Sequence, residues 1–486
     1  MKTLTAILLF FPAIIFAQSA PIHKQLEQTF DQFRETSIDK RRLKHYLVKS
    51  LLEKTAKQDA FSLTTLGKSI EGREINMLSI GSGSTTVLLW SQMHGDEPSA
   101  TMALFDIFKF LQDDEVLKKE KKHLFKNLTI HFIPMLNPDG AELYQRRNAL
   151  GIDINRDALR LQSPEGRILK AARDSLNADF GFNLHDQSRY YTVGETRMPA
   201  TISVLAPAFN FEKDINEVRG NAMKVIVGMN NVWQKYIPGH VGRYSDEFEP
   251  RAFGDNIQKW GTSAILIESG GYPGDREKQL IRKMNYIGIL SALFAISDES
   301  FAEEALDGYE QIPNNSRNLL DLKISNFTYE LLGEKYVLDV GINYTEVDNE
   351  AHNDFYFRGV IADLGDLSTS YGYDEVNAEN LEYKAGKVFE KTFETLEELE
   401  KEDIKKLLQK GYTYVRVKNI DPSTAFTHLP IHVIGSETEI KSALKQWQNP
   451  TFLLMDGQKV KFAVINGFIY DFDWEKNNIK NALILR

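Results

Sequence analysis

Five groups of polar residues have the types and spacing to do chemistry together. The first is Met93-His94-Gly95-Asp96-Glu97, where a buried apolar run gives way to a helical pattern. A histidine and a glutamate three residues apart in a turn can point at one metal ion. Zinc accepts imidazole nitrogen and carboxylate oxygen, and two histidines with one glutamate leave a position open for water. The same spacing also makes surface salt bridges and caps. The second group, Asn137-Pro138-Asp139-Gly140, is by itself a turn. The third runs from Arg146 and Arg147 through Gly151-Ile152-Asp153-Ile154-Asn155-Arg156-Asp157. Guanidinium forks bind carboxylates and stabilise developing oxyanions, or simply tie a loop together. The fourth ends an apolar run on His185, followed by Asp186. The fifth ends another on Glu268, where a carboxylate beside a low-dielectric pocket suits a general base of raised pKa.

These groups need elements that bring them to one place. Thr85–Met93, Leu128–Leu136, Asp179–Leu184 and Thr262–Ile267 read as short buried strands. Pro98–Leu111 reads as a helix, and another begins at Ser163-Pro164. Such alternation predicts an α/β fold, a helix-flanked mixed and largely parallel sheet, with the polar groups outside the carboxyl ends of its strands. Ahead of it, residues 21–57 carry a helical period, and Phe61–Ser82 reads as a hairpin turning at Ser69–Arg73. A helical pattern after Gly274 leads to a turn-rich boundary at Ile312–Ser316. Beyond it the sequence predicts a C-terminal α+β domain over 311–486. It would hold strands around Gly333, an acidic helix over Thr392–Gln409, a capped helix from Ser436 through Ala443 to Trp447, and a hairpin at Asp456-Gly457.

The chain has 486 residues, too many for one ordinary core, and a net charge of −10, which argues against a nucleic-acid partner. It has no cysteine, so metal ligands must come from carboxylates and its 10 histidines. Lys2 followed by the apolar stretch Leu4–Ala17 reads as an export signal covering residues 1–17, too short to span a bilayer. No later stretch reads as apolar enough to cross a membrane. A secreted or periplasmic protein follows, with a catalytic domain over 18–310; nothing in the sequence speaks to its oligomeric state.

The order of the groups resembles that of the carboxypeptidase A-like zinc carboxypeptidases, in particular the bacterial branch that includes murein peptide amidases. The resemblance rests on Gly67-Lys68-Ser69 with Glu71-Gly72-Arg73, then the His94, Asn137, Gly151, Leu184 and Ile267 motifs in sequence, and spans about Phe61 to Ala295. It implies one zinc ion on His94, Glu97 and His185, and a peptide substrate that loses its C-terminal residue. It assigns Glu268 as the base that moves a proton from water to the leaving amine, and Arg146 (or Arg147, one position on) as the oxyanion partner. Asn155 and Arg156 would hold the terminal carboxylate. The chain departs from the family's digestive members at Asp96, where those carry arginine and the murein branch carries aspartate. It departs again at Asp157, where many members have asparagine. Tyr244 is the nearest candidate for the mobile active-site tyrosine. Asp255 would either bind an amino group of the terminal side chain or serve as a turn residue. Zinc-dependent deacylases of N-acyl amino acids share the same core and form the alternative class.

Overall fold

The computed structural model describes residues 20–58, 60–440, 444–473 and 479–486. The expected export signal at 1–17 lies outside the described residues. Residues 21–57 form two helices, Ile22–Phe33 and His45–Ala56, which bury Leu26, Phe30, Phe33, Val48, Leu51 and Leu52.

Eight strands then build one twisted sheet. Ser62–Lys68 and Glu74–Gly81 make the expected hairpin, and Glu74–Gly81 pairs antiparallel with Leu128–Ile133. Next, in spatial order, come Thr85–Ser91, Phe180–Asp186 and Ser263–Ser269, all parallel to Leu128–Ile133. Ile202–Leu205 pairs antiparallel with Ser263–Ser269, and Val241–Arg243 closes the far edge. The fold is therefore the α/β, helix-flanked, largely parallel arrangement that the sequence predicts. Its central strands read as unbroken apolar runs because both faces are covered: Val87, Leu88, Leu89 and Trp90 are all fully buried.

One face packs against the helices Ser99–Gln112, Glu217–Trp233 and Gln279–Ser297. The other packs against Pro164–Leu176 and Phe253–Lys259. Gln279–Ser297 is long and apolar enough for a membrane span by length and composition, contrary to the expectation of none. Its side chains are mostly buried in the core instead, where Arg282 grips Asp106 at 2.5 and 2.6 Å.

After a short pairing of Asn315–Ser316 with Thr192–Val193, the remaining described residues form two larger sheets. The larger contains Leu319–Leu331, Glu334–Asp348, Phe355–Gly365 and the hairpin Phe452–Asp456 with Lys459–Ile465. The smaller is centred on Tyr412–Val417, His432–Ile434 and Ala482–Leu485. Two expected helices do not form as read. Over Thr392–Gln409 the chain makes the end of strand Lys387–Phe393 and two short helices, Leu396–Leu399 and Ile404–Gln409. The break comes because the Asp403 side chain accepts the Lys406 N–H and starts a new helix. No helix follows Ser436 among the described residues, and Ala443 lies outside them. There the Arg416 guanidinium binds the carbonyls of Gly435, Ser436 and Thr438, taking acceptors that a helix would need.

Candidate active site

Because the four central strands run the same way, their carboxyl ends share one edge of the sheet. His94 follows Ser91, Asn137 follows Ile133, and His185 sits opposite Glu268 in the register of the last two strands. Two backbone features aim the first turn. Gln92 adopts a left-handed conformation (φ 46°), unusual for a residue with a Cβ. Gly95 lies so close to the Asn137 turn that a Cβ would sit 2.0 Å from the Gly140 carbonyl carbon.

That turn is itself anchored. Asn137 caps it by accepting the Gly140 N–H at 2.9 Å, and its amide donates to the Arg146 carbonyl at 3.3 Å. The buried Asp139 accepts from Ser69 Oγ, the Glu71 N–H and Arg73 at 2.7, 3.0 and 2.7 Å. The Ser69–Arg73 hairpin turn therefore supports the site through Asp139 rather than touching it. Asp157 has a similar supporting role, accepting the Ser163 N–H and hydroxyl, both at 2.7 Å.

His94, Glu97 and His185 converge, their ligand atoms all lying within 4.8 Å of one another. Nδ1 of His94 is 2.8 Å from Glu97 Oε1, Nδ1 of His185 is 2.7 Å from Glu97 Oε2, and the two Nδ1 atoms are 3.2 Å apart. Zinc bonded to two imidazole nitrogens at about 2.0–2.1 Å in a tetrahedral arrangement would hold them roughly 3.3 Å apart, so the donor set fits the ion. Asp153 Oδ1 lies 3.1 Å from His94 Nε2, so with a metal bound it would accept the Nε2–H and leave Nδ1 as the ligand atom. His185 Nε2 is buried without such a partner, and its ring is tied through Nδ1 to Glu97.

The field of the site calls for a cation. Burial opposes charge on His94, but Glu97 and Asp153 outweigh it and push the ring up to about 9. Burial would raise Glu97, but the two imidazoles hold it well below the ordinary carboxylate range. Glu268 shows the reverse: burial first, then the Glu97 carboxylate, push it well above its usual value. Asp96 is pushed up to about 6, chiefly by burial and then by Glu97.

Arg146 reaches into this cluster. Its guanidinium lies 3.2 Å from Glu97 Oε1 and 3.0 Å from Asp153 Oδ2, with its side chain 42% exposed and so open to a substrate. Arg147 points away and donates to the Gly151 carbonyl on the surface. Tyr244 lies near enough for the Glu268 carboxylate to raise its hydroxyl pKa, after burial, and packs edge-on against Tyr191 at 6.0 Å. Asn155 Oδ1 accepts the Phe253 N–H at 2.8 Å, joining the Arg156 turn to the helix that carries Asp255. Arg156 is half-exposed, 3.4 Å from Glu249. Asp255 accepts the Glu249 N–H at 2.9 Å, and burial pushes its carboxyl up to about 7. Asp153 is the site residue the sequence reading gave no role, although it lies inside a motif that was singled out.

The zinc carboxypeptidase family model matches residues 48–185, a stretch that ends on His185. An uncharacterized protein of Zymomonas mobilis is 24% identical over 204 residues, 40% of this chain and 50% of that protein. Carboxypeptidase D of Mus musculus is 26% identical over 151 residues, 30% of this chain and 10% of that one. The chain thus spans half or less of the length of these curated relatives. Among solved structures, a metallo-carboxypeptidase from Pseudomonas aeruginosa in complex with (2-guanidinoethylmercapto)succinic acid gives a TM-score of 0.42 at 18% identity. It covers 52% of this chain and 68% of that one.

Proposed function

From residues 48–185, a zinc carboxypeptidase segment, we propose that this chain is a secreted zinc metallopeptidase that releases C-terminal residues from peptides. Murein peptides are the candidate natural substrate, favoured by Asp96. The convergence of His94, Glu97 and His185 on one point carries the reading. Zinc, when bound there, supplies Lewis acidity toward a carbonyl and acidifies water. Glu268, kept protonatable by its surroundings, is the base that receives a proton from the attacking water and returns it to the departing amine. Arg146 offers its exposed guanidinium edge to the oxygen on which negative charge develops. Arg156, positioned by Asn155, receives the terminal carboxylate. Tyr244, close enough to feel the Glu268 charge, is a candidate further donor, and Asp255 is the candidate reader of a terminal side chain with an amino group.

The test combines metal analysis with a cleavage assay. The purified chain is expected to carry one zinc, and Glu97→Ala and His185→Ala to lose it. Glu268→Gln should keep zinc but lose most turnover. Mass spectrometry of a mixed peptide pool should show loss of one C-terminal residue that a chelator abolishes. Full zinc occupancy in both ligand variants would overturn the assignment. Release of a small acyl group instead would move the chain to the deacylase class.

A further inference from the structure

A cavity of about 740 Å³ lies where the second, larger sheet meets the loops that leave the candidate site. That is within the range of small-ligand pockets, roughly 300–1,000 Å³. One wall is the Gly270–Arg276 loop, which begins two residues after Glu268; Arg189, four residues after His185, adjoins it. The facing wall holds a cluster of aromatic rings among charged side chains such as Glu346, Asp374 and Lys480. Tyr344 stacks on Phe468 at 4.4 Å, and Phe357 packs against both at 6.1 and 5.9 Å. Arg276 lies over the Phe357 ring at 4.5 Å and reaches carboxylates only at 3.6 and 3.8 Å, so its donors are not saturated. Gly271 brings the two walls together: a Cβ there would meet the Tyr373 hydroxyl at 2.5 Å.

The position of the cavity says which part of a substrate it faces. Ile154, beside Asn155 and Arg156, belongs to the core on one face of the central sheet, together with Phe253 and Ile257. The loop that lines the cavity leads into Gln279–Ser297, on the opposite face. The metal-ligand cluster lies between, at the strand ends. On the peptidase reading, a peptide whose terminal carboxylate meets Arg156 would extend its upstream residues across the strand ends toward the face that carries the cavity.

We propose that this cavity is a subsite for the residues upstream of the scissile bond, selecting an aromatic or large aliphatic side chain, with Arg276 donating to the peptide carbonyls. The subsite rests on the peptidase reading for its orientation, and residues of the C-terminal region build its selective wall. The walls suit the ligand: stacked rings bury an apolar side chain, and an unsaturated guanidinium beside them satisfies carbonyl oxygens that enter with it.

The experiment uses two pentapeptides of identical C-terminal dipeptide, one carrying Phe and one Gly at the upstream positions, together with the acyl-dipeptide alone. Binding to the metal-free full chain is measured by calorimetry, and kcat/KM on the zinc-loaded chain. The Phe peptide is expected to exceed the Gly peptide about tenfold in both, the scale of burying one aromatic side chain. Val376→Trp, which fills the cavity, and Phe462→Ala, which removes part of its lining, should each abolish that preference while turnover of the acyl-dipeptide stays within about twofold. Equal binding of both pentapeptides by the parent chain would overturn the subsite while cleavage still upheld the peptidase. Phe-selective binding lost in Val376→Trp, with no cleavage of any peptide, would uphold the pocket and remove the peptidase reading.

Discussion

At the scale of single residues, His94 as the proposed zinc ligand would depend on Asp153 for its tautomer, because Nδ1 can face a metal only while Nε2 keeps its proton. Asp153→Ala is expected to weaken zinc binding by about 10–100-fold, measured by competition with a chelator. An unchanged affinity would show that packing alone orients the ring. Asp255 gives a second residue-scale prediction, this one in pH. Its folded pKa of about 7 stands above the unfolded carboxylate value, so the native chain holds a proton that the unfolded chain has released. The stability it contributes is complete at acid pH and falls as pH rises from about 4 toward 7. Asp255→Asn keeps an acceptor for the Glu249 N–H and carries no titration. Its Tm advantage over the parent should therefore grow between pH 4 and 7 and level off above, read by scanning calorimetry without substrate; a constant difference across that range would contradict the sign. His94, Glu97 and His185 stand out in the sequence because a metal site needs those residue types, and the fold brings the three together. Asp153 does not, because a supporting carboxylate has no spacing rule and its partner lies 59 positions away.

At the scale of elements, the parallel strands explain why separate motifs act as one. Thr85–Ser91 and Phe180–Asp186 were legible as continuous apolar runs, since a strand covered on both faces shows no alternation. Thr392–Gln409 reads as one helix because a helical period continues through Asp403, and only the cap hydrogen bond shows where the helix restarts. Gly95 shows what the site demands of its elements. It permits the His94 turn and the Asn137 turn to touch backbone to backbone, and Gly95→Ala forces them apart. The expected outcome is a destabilisation of about 1–3 kcal/mol together with loss of zinc, because the clash falls between the first ligand and its support. Metal analysis on the folded fraction tests it, and a variant of full zinc content would show that the two turns can separate without moving His94.

At the scale of the whole molecule, the C-terminal sheets do more than follow the peptidase-like region. Asp321, 2% exposed, forms an ion pair with Arg189 at 2.9 Å and accepts from the Tyr190 hydroxyl at 2.7 Å and from the Tyr344 N–H at 2.7 Å. Arg189 and Tyr190 follow the strand Phe180–Asp186, so one buried carboxylate of the second half holds the loop beyond His185, the proposed metal ligand. Nothing in the sequence announced this, since an aspartate within an apolar strand carries no motif and its Arg189 and Tyr190 partners are more than a hundred residues away. Removing it leaves the Arg189 guanidinium and two further donors without their acceptor in a dry interface. Breaking a buried pair in that way costs about 3–5 kcal/mol. For units of 150–250 residues each kcal/mol shifts Tm by about 2–4 °C, so Asp321→Ala should melt roughly 6–20 °C lower. Asp321→Asn keeps acceptors for Tyr190 and the Tyr344 N–H but no charge for Arg189, and should fall between the two. Zinc affinity should weaken in the same order, since the loop that it steadies begins at His185. Melting of Asp321→Ala within about 1 °C of the parent, with unchanged zinc affinity, would mean that the two halves meet without supporting one another.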